Sequence, residues 1–267
     1  MTKEENQRRA NNPKVKELKS RIVNKDMKKP FVFISYKSDD WEIVLTDIVY
    51  RLVSRYGLNV YYDGDFDDHA DNWINQFPAN MESEYCKGVI AFVDNKYATS
   101  YATLIELMNS QKLRANIGSV NQGKKDHGLP VVQINLGKLN DSEIDVSSST
   151  FLGEAYDDNG NANTNSRKEL EYFNELIGLV TRGGILEGNP TFDQFYGKRL
   201  PLTRYNCYMI VSEILEKLEM NEKQYTPGGD LDSICNSIKN AVTRFPDDAE
   251  NNVFSGEIFE DVQSDVV

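Results

Sequence analysis

Phe31-Val32-Phe33-Ile34-Ser35, Leu58-Asn59-Val60-Tyr61-Tyr62 and Gly88-Val89-Ile90-Ala91-Phe92-Val93 are three short runs rich in β-branched and aromatic residues. A fourth follows at Leu129-Pro130-Val131-Val132-Gln133-Ile134-Asn135-Leu136. Such runs read as strands. The first and third are apolar at nearly every position, so each is expected to be buried on both sides, as in a parallel sheet covered by helices. Between the runs lie segments with apolar residues at helical spacing: Trp41, Val44, Leu45, Ile48, Leu52 and Val53, then Trp73, Phe77, Met81 and Tyr85. Strand and helix alternating in this way predict a doubly wound α/β fold with helices on both faces of the sheet.

Outward from this block the pattern changes. Residues 137–160 are polar and turn-rich, which predicts an insertion or a mobile loop, taken as 137–200. Helical spacing returns at Glu169–Val180, ended by Arg182-Gly183-Gly184, at Tyr205–Met220 and at Leu231–Val242. From Thr226 to Val267 there are nine Asp/Glu against two Lys/Arg, so residues 221–267 read as an acidic extension, partly disordered toward its end. The resulting organisation is a basic arm over 1–28, an α/β domain over 29–220 carrying the insertion, and the extension. There is no internal repeat.

With 267 residues, 39% of them hydrophobic, the chain can bury a proper core. No stretch reaches the length of uncharged apolar residues that spans a bilayer, and the first residues contain no apolar signal core, so a cytoplasmic protein is expected. Cys86, Cys207 and Cys235 match no CxxC spacing and read as buried thiols, not as a disulfide framework or a zinc site. A net charge of −12 argues against a general nucleic-acid binder. Residues 1–30 nevertheless hold ten Lys/Arg against four Asp/Glu, a local +6 that leaves −18 for the remainder. Such an arm either presents a solvated helix face or touches an acidic surface: lipid, RNA or the protein's own.

In α/β sheets ligands bind outside the carboxyl ends of the strands, which directs attention to three loops. Ser35 to Trp41 offers Lys37, hydroxyls and the pair Asp39-Asp40, whose simplest role is as acids at a helix start. Asp63 to Trp73 is dense in carboxylates, yet it fails as an EF-hand: counted from Asp63, the position that requires Gly is Asp68 and the one that requires Glu is Ile74. With only His69 and His127 in the chain, no metal is expected. Asp94 to Ser100 leads into a helix with Ser100 as a candidate N-cap and Tyr101, Leu104, Ile105 and Met108 as its apolar stripe. Glu106 shares its side with Ala102, Thr103, Asn109 and Ser110. It is either a pocket-lining carboxylate or an ordinary exposed helix residue.

Phe31 to Tyr36 followed by Ser38-Asp39-Asp40 resembles the first box of Toll/interleukin-1 receptor (TIR) domains. Gly57 to Asp63 resembles the second strand and the start of the next loop, Trp73-Ile74 the W-x-x-x-I helix, and Ser100 with Glu106-Leu107 the S-x-W-C-x-x-E-L segment. The resemblance covers Lys29 to Leu136, with Pro201 to Leu218 as a closing helix. Ala102 and Thr103 stand where that segment has Trp and Cys, and the fifth strand is not identifiable.

The resemblance implies a flavodoxin-like sheet in a free-standing microbial member of the family. It implies an NAD+ nucleosidase with NAD+ as substrate, not cofactor, giving ADP-ribose or a cyclic ADP-ribose signal in antiphage defence or immune signalling. Glu106 is then the catalytic residue, with Phe33, Ser35, Tyr36, Lys37, Asp63, Trp73 and Tyr101 binding substrate and Tyr97, Tyr101 or Tyr36 replacing the missing Trp. Homo-oligomers formed through TIR–TIR contacts are implied, as is an effector that senses the product. The alternative is a non-catalytic scaffold that docks onto like domains through the Asp63 to Trp73 loop. A phosphorylation receiver using Asp94 fits less well, because Asp39-Asp40 lies beyond the strand end and no strand-five Lys is found.

Overall fold

Five strands make one sheet in the order β2-β1-β3-β4-β5, with β1 at Phe31–Tyr36, β2 at Val60–Tyr61, β3 at Cys86–Val93, β4 at Val131–Asn135 and β5 at Glu222–Gln224. β1 runs parallel to β2 and β3, aligning Ser35 with Ala91, and β4 runs parallel to β5. The Val89 amide donates to the Pro130 carbonyl (2.9 Å) and the Gly137 amide to the Val93 carbonyl (3.4 Å), so β3 and β4 advance in the same direction. The computed structural model describes residues 2–21, 29–62, 80–81, 83–120, 129–145, 176, 203–218, 222–225, 229–243 and 253–254. Asp63, Trp73, most of the expected insertion and the helix expected over Glu169–Val180, except helical Leu176, lie outside them.

The helices are α1 (Lys3–Asn11), α2 (Pro13–Arg21), α3 (Tyr50–Tyr56), α4 (Asn95–Ala98), α5 (Tyr101–Val120), α6 (Arg204–Lys217) and α7 (Leu231–Val242). A 3-10 turn at Ser38–Asp40 and a π-wound segment at Glu42–Val49 lead continuously into α3. Glycine ends that run for a steric reason. Gly57 has φ 66° and ψ 28°, the left-handed cap that other residues enter with strain, and its neighbour Leu58 donates back to the Leu52 carbonyl at 3.1 Å.

The chain divides into two units. Met1–Phe92, Pro130–Leu136 and Asn221–Val267 form the first, which holds the sheet; Val93–Leu129 and Gly137–Met220 form the second. In the first unit Val32, Ile34, Tyr36, Ile90, Phe92, Val132 and Ile134 share one buried cluster with Val15 and Leu18 of α2, the helical run after β1, and Ile234, Cys235, Ile238 and Val242 of α7. The alternate residues Phe33, Ser35, Val89, Ala91 and Gln133 point to the opposite face and are buried as well. β1, β3 and the middle of β4 are therefore covered on both sides, as continuous apolar runs require. On that second face Phe33 stacks on Tyr61 with ring centres 5.4 Å apart.

The missing fifth strand is Glu222–Gln224, which follows α6 and pairs at the sheet edge with Gln133 to Asn135. At the other edge the Asn59 amide donates to the Val253 carbonyl (2.8 Å), and Leu58 bridges Phe254, so described residues of the acidic extension contribute backbone bonds beside β2. Asp230 caps α7 by accepting from the Asp232 and Ser233 amides (3.0 and 3.2 Å). Asp232 then takes Arg51 (2.9 Å) and Arg55 (3.0 Å) across the helix pair. In the second unit α4 and α5 both pack on α6, which buries Cys207, Ile210, Val211 and Ile214.

All three thiols are free and buried. Burial pushes Cys86 and Cys235 up to about 12 and raises Cys207 as well. Among the described residues no helix is long and apolar enough to cross a membrane.

Candidate functional site

The strand order reverses at β1, with β2 on one side and β3 on the other; of the described candidate residues Phe33, Ser35 and Tyr36 lie in β1, Lys37 directly after it, and Tyr101 and Glu106 in α5. After Tyr36, Lys37 is extended and the Asp40 amide closes onto its carbonyl at 2.8 Å. Asp39 and Asp40 thus occupy the first turn of the helical run, where the unpaired amides and the dipole favour negative charge. Beyond them the backbone is wound more loosely than an α-helix. Tyr50 donates to the Leu45 carbonyl five residues back, the Thr46 hydroxyl donates to the Glu42 carbonyl (2.6 Å), and Lys14 of α2 donates to the Thr46 carbonyl (3.3 Å). π winding is rare, and most instances are single-turn bulges inside α-helices, frequently at functional sites.

The basic arm lies on this loop. Arg9 stands over the Tyr36 ring (5.8 Å to its centre), Arg8 over the Trp41 ring (5.4 Å) and Lys14 over the Tyr50 ring (5.4 Å). Arg8 also pairs with Glu42 at 2.9 Å. Of the surfaces such an arm can touch, the one found here is the protein's own.

After β3, the Asp94 side chain accepts from the Tyr97 amide at 2.8 Å and so caps α4. Asn95 fastens this loop to the one after β4. Its amide group donates to the Asn140 carbonyl (3.1 Å) and to Glu143 (3.2 Å), while its oxygen accepts from the Asn140 amide (2.9 Å). The Thr103 hydroxyl donates to the Tyr97 carbonyl (2.6 Å), with the Ser100 carbonyl at 3.0 Å, which fixes the turn between α4 and α5.

Glu106 sits in the second turn of α5 and is only 5% exposed. The polar side of the helix is as buried as the apolar side: Thr103, Asn109, Ser110 and Gln111 are all buried, alongside Leu104, Ile105 and Met108. Glu106 is therefore not an ordinary exposed helix residue. Several of its polar neighbours bond within their own helix: Asn109 donates to the Ile105 carbonyl (2.9 Å), Ser110 to the Leu107 carbonyl (2.6 Å) and Gln111 to the Ser110 hydroxyl (2.8 Å). The Gln111 Oε1 atom is buried without a partner.

The expected substrate-binding residues fall into separate groups. Phe33 and Ser35 point to one face of the sheet, while Tyr36 points to the other, where it belongs to the buried cluster and its ring lies under Arg9. Lys37 is half-buried at the loop. Tyr101 is buried on α5, and five residues of helix turn it about 140° away from Glu106. Phe33, Ser35, Tyr36 and Lys37 belong to the first unit, Tyr101 and Glu106 to the second.

Three polar residues went unrecognised from sequence. Asn95 carries no motif. Gln133 and Asn135 were detectable, as the polar alternates in an otherwise apolar strand; they bond to each other at 2.6 Å, and the Gln133 Oε1 atom is buried without a partner. Among the described residues no three His, Cys, Asp or Glu side chains gather to hold a metal. No protein-family model matches the chain, and neither does any curated protein.

Proposed function

We propose that this chain is a flavodoxin-like, TIR-type domain of the cytoplasm that cleaves NAD+ between nicotinamide and ribose, with Glu106 as its catalytic carboxylate. The strand order 2-1-3-4-5 is that of the flavodoxin-like class, whose ligands sit at the reversal beside the first strand. The observation that carries the reading is the burial of Glu106 in the second turn of the helix entered from β3. Heterolysis of the C1′–N bond sends its electron pair to the ring nitrogen, so nicotinamide leaves neutral and needs no general acid. The cation left on C1′ and its ring oxygen is what must be stabilised. An ionised carboxylate fixed in a poorly solvated site does this without reorganisation, and one such preorganised group is typically worth about 10² to 10³ in rate. Water then forms the new C1′–O bond and loses its proton to solvent, giving ADP-ribose; attack by a group of the same molecule gives a cyclic product.

Self-association of like domains completes the substrate pocket in this reading, and the product serves as a signal for a downstream effector in antiviral defence. Purified protein is incubated with NAD+ and nicotinamide release is followed for wild type and Glu106→Gln. The amide keeps the shape and removes the charge, so turnover is expected to fall by at least about 10²-fold while the circular dichroism is unchanged. Equal turnover in the two proteins would remove Glu106 from the reaction. The placement of Tyr36 on the opposite face of the sheet from buried Phe33 and Ser35 favours a second reading, a scaffold in which these residues and Glu106 only pack. In that case no nicotinamide is released and Glu106→Gln lowers thermal stability instead.

A further inference from the structure

Helices α1 and α2 are held to the first unit in different ways. α2 inserts Val15 and Leu18 into the buried cluster, whereas α1 has no buried residue. Between them Asn12 is extended (φ −63°, ψ 127°) and Pro13 opens α2, so the helix axis breaks at a single residue. Two guanidinium groups of α1 reach the loop after β1: Arg9 over Tyr36, and Arg8 over Trp41 and against Glu42. Both partners of the Arg8–Glu42 pair are 62% exposed, so this ion pair is weak and open to screening by salt.

The aromatic residues under those cations flank the loop at the carboxyl edge of the sheet, where this class of fold takes its ligands. A guanidinium is planar, delocalised and weakly hydrated, which is why it lies flat on aromatic rings. A pyridinium ring shares those properties. Exposed Asp39 and Glu42 add negative charge beside the rings.

We infer that α1 is a displaceable latch whose two arginines hold the place of a flat organic cation on Tyr36 and Trp41. Only the naming of that cation as the pyridinium ring of NAD+ rests on the activity proposed above. Undocking α1 uncovers the platform, and a cationic ligand and α1 exclude each other.

The test uses the full chain with Trp73→Phe, which leaves Trp41 as the single indole. Acrylamide quenching of Trp41 and the affinity for 1-methylnicotinamide are compared with and without the paired change Arg8→Ala and Arg9→Ala. Removing the arginines is expected to raise the quenching constant and to tighten 1-methylnicotinamide by about twofold to fivefold per guanidinium lost. In the chain that keeps its arginines, rising salt is expected to raise quenching in the same way, which decides the matter if the variant does not fold. If the expected changes appear and the chain that keeps Trp73 releases no nicotinamide from NAD+, with or without Arg8 and Arg9, the latch stands and the cleavage reading falls. Quenching that is identical with and without the arginines and indifferent to salt overturns the latch, and quenching that rises with no gain in 1-methylnicotinamide affinity overturns the placeholder role.

Discussion

Ile238→Ala is the perturbation that separates a C-terminal helix built into the core from one merely tied to the surface. Ile238 is fully buried in the cluster that also contains Leu45, Ile48 and Leu52, and α7 contributes Ile234, Cys235 and Val242 to the same cluster. Truncation to Ala deletes three carbon atoms, about 2.4 kcal/mol at roughly 0.8 per methylene, and the cavity left behind brings the loss to about 3–4 kcal/mol. The polar clasp on the other side of the helix is worth far less. Asp232 offers one oxygen to both Arg51 and Arg55, and all three side chains are between 29% and 49% exposed. Solvent screening leaves such pairs about 0.2–1 kcal/mol, so Asp232→Ala is a mild change. By differential scanning calorimetry Ile238→Ala is expected to lower Tm by about 6–12 °C and Asp232→Ala by less than about 4 °C. Equal shifts in the two variants, or no shift for Ile238→Ala, would refute the view that apolar burial holds α7 in place.

Thr103→Val keeps the shape of a buried side chain and removes the donor to the Tyr97 and Ser100 carbonyls; a loss of about 1–3 kcal/mol in urea unfolding is expected, and a neutral result would show that the turn between α4 and α5 holds without it. Burial raises Cys86 from 9.0 to about 12, so its neutral thiol contributes stability that is intact below pH 9 and is lost as pH rises toward about 12, because the unfolded chain gives up that proton first. The stability gap between wild type and Cys86→Ala is expected to narrow from neutral pH to about pH 10.5 in denaturant titrations, and a constant gap contradicts this. Specific NAD+ cleavage is expected to rise with protein concentration as the chain self-associates, and a flat profile accompanied by monomeric light scattering excludes assembly as a requirement.

Where structure follows from a residue's position around its own local axis, it was legible. The apolar spacing Ile234, Cys235, Ile238, Val242 behind Asp230 marked α7 to both ends, and Trp41 to Val53 marked the buried side of the run after β1. The both-face burial of β1 and β3 was readable from their unbroken apolar composition. Four features were not legible, because each depends on residues distant in sequence. The polar triplet Glu222-Lys223-Gln224 becomes a strand because β4 leaves an open edge for it. The Glu42–Val49 winding is braced by Lys14, which sits two elements earlier. α1 docks through Arg8 and Arg9, which in sequence read most simply as a solvated face. The polar side of α5 displays a periodicity that marks one face as different, but periodicity does not record what covers it. In the folded chain Glu106 is buried along with its neighbours. Sequence thus determined the strands β1 to β4 and the amphipathic helices such as α7, since these follow from each segment's own pattern. Tertiary structure decided the edges of the sheet, the seat of the arm and the burial of Glu106, since each needs a second segment to arrive.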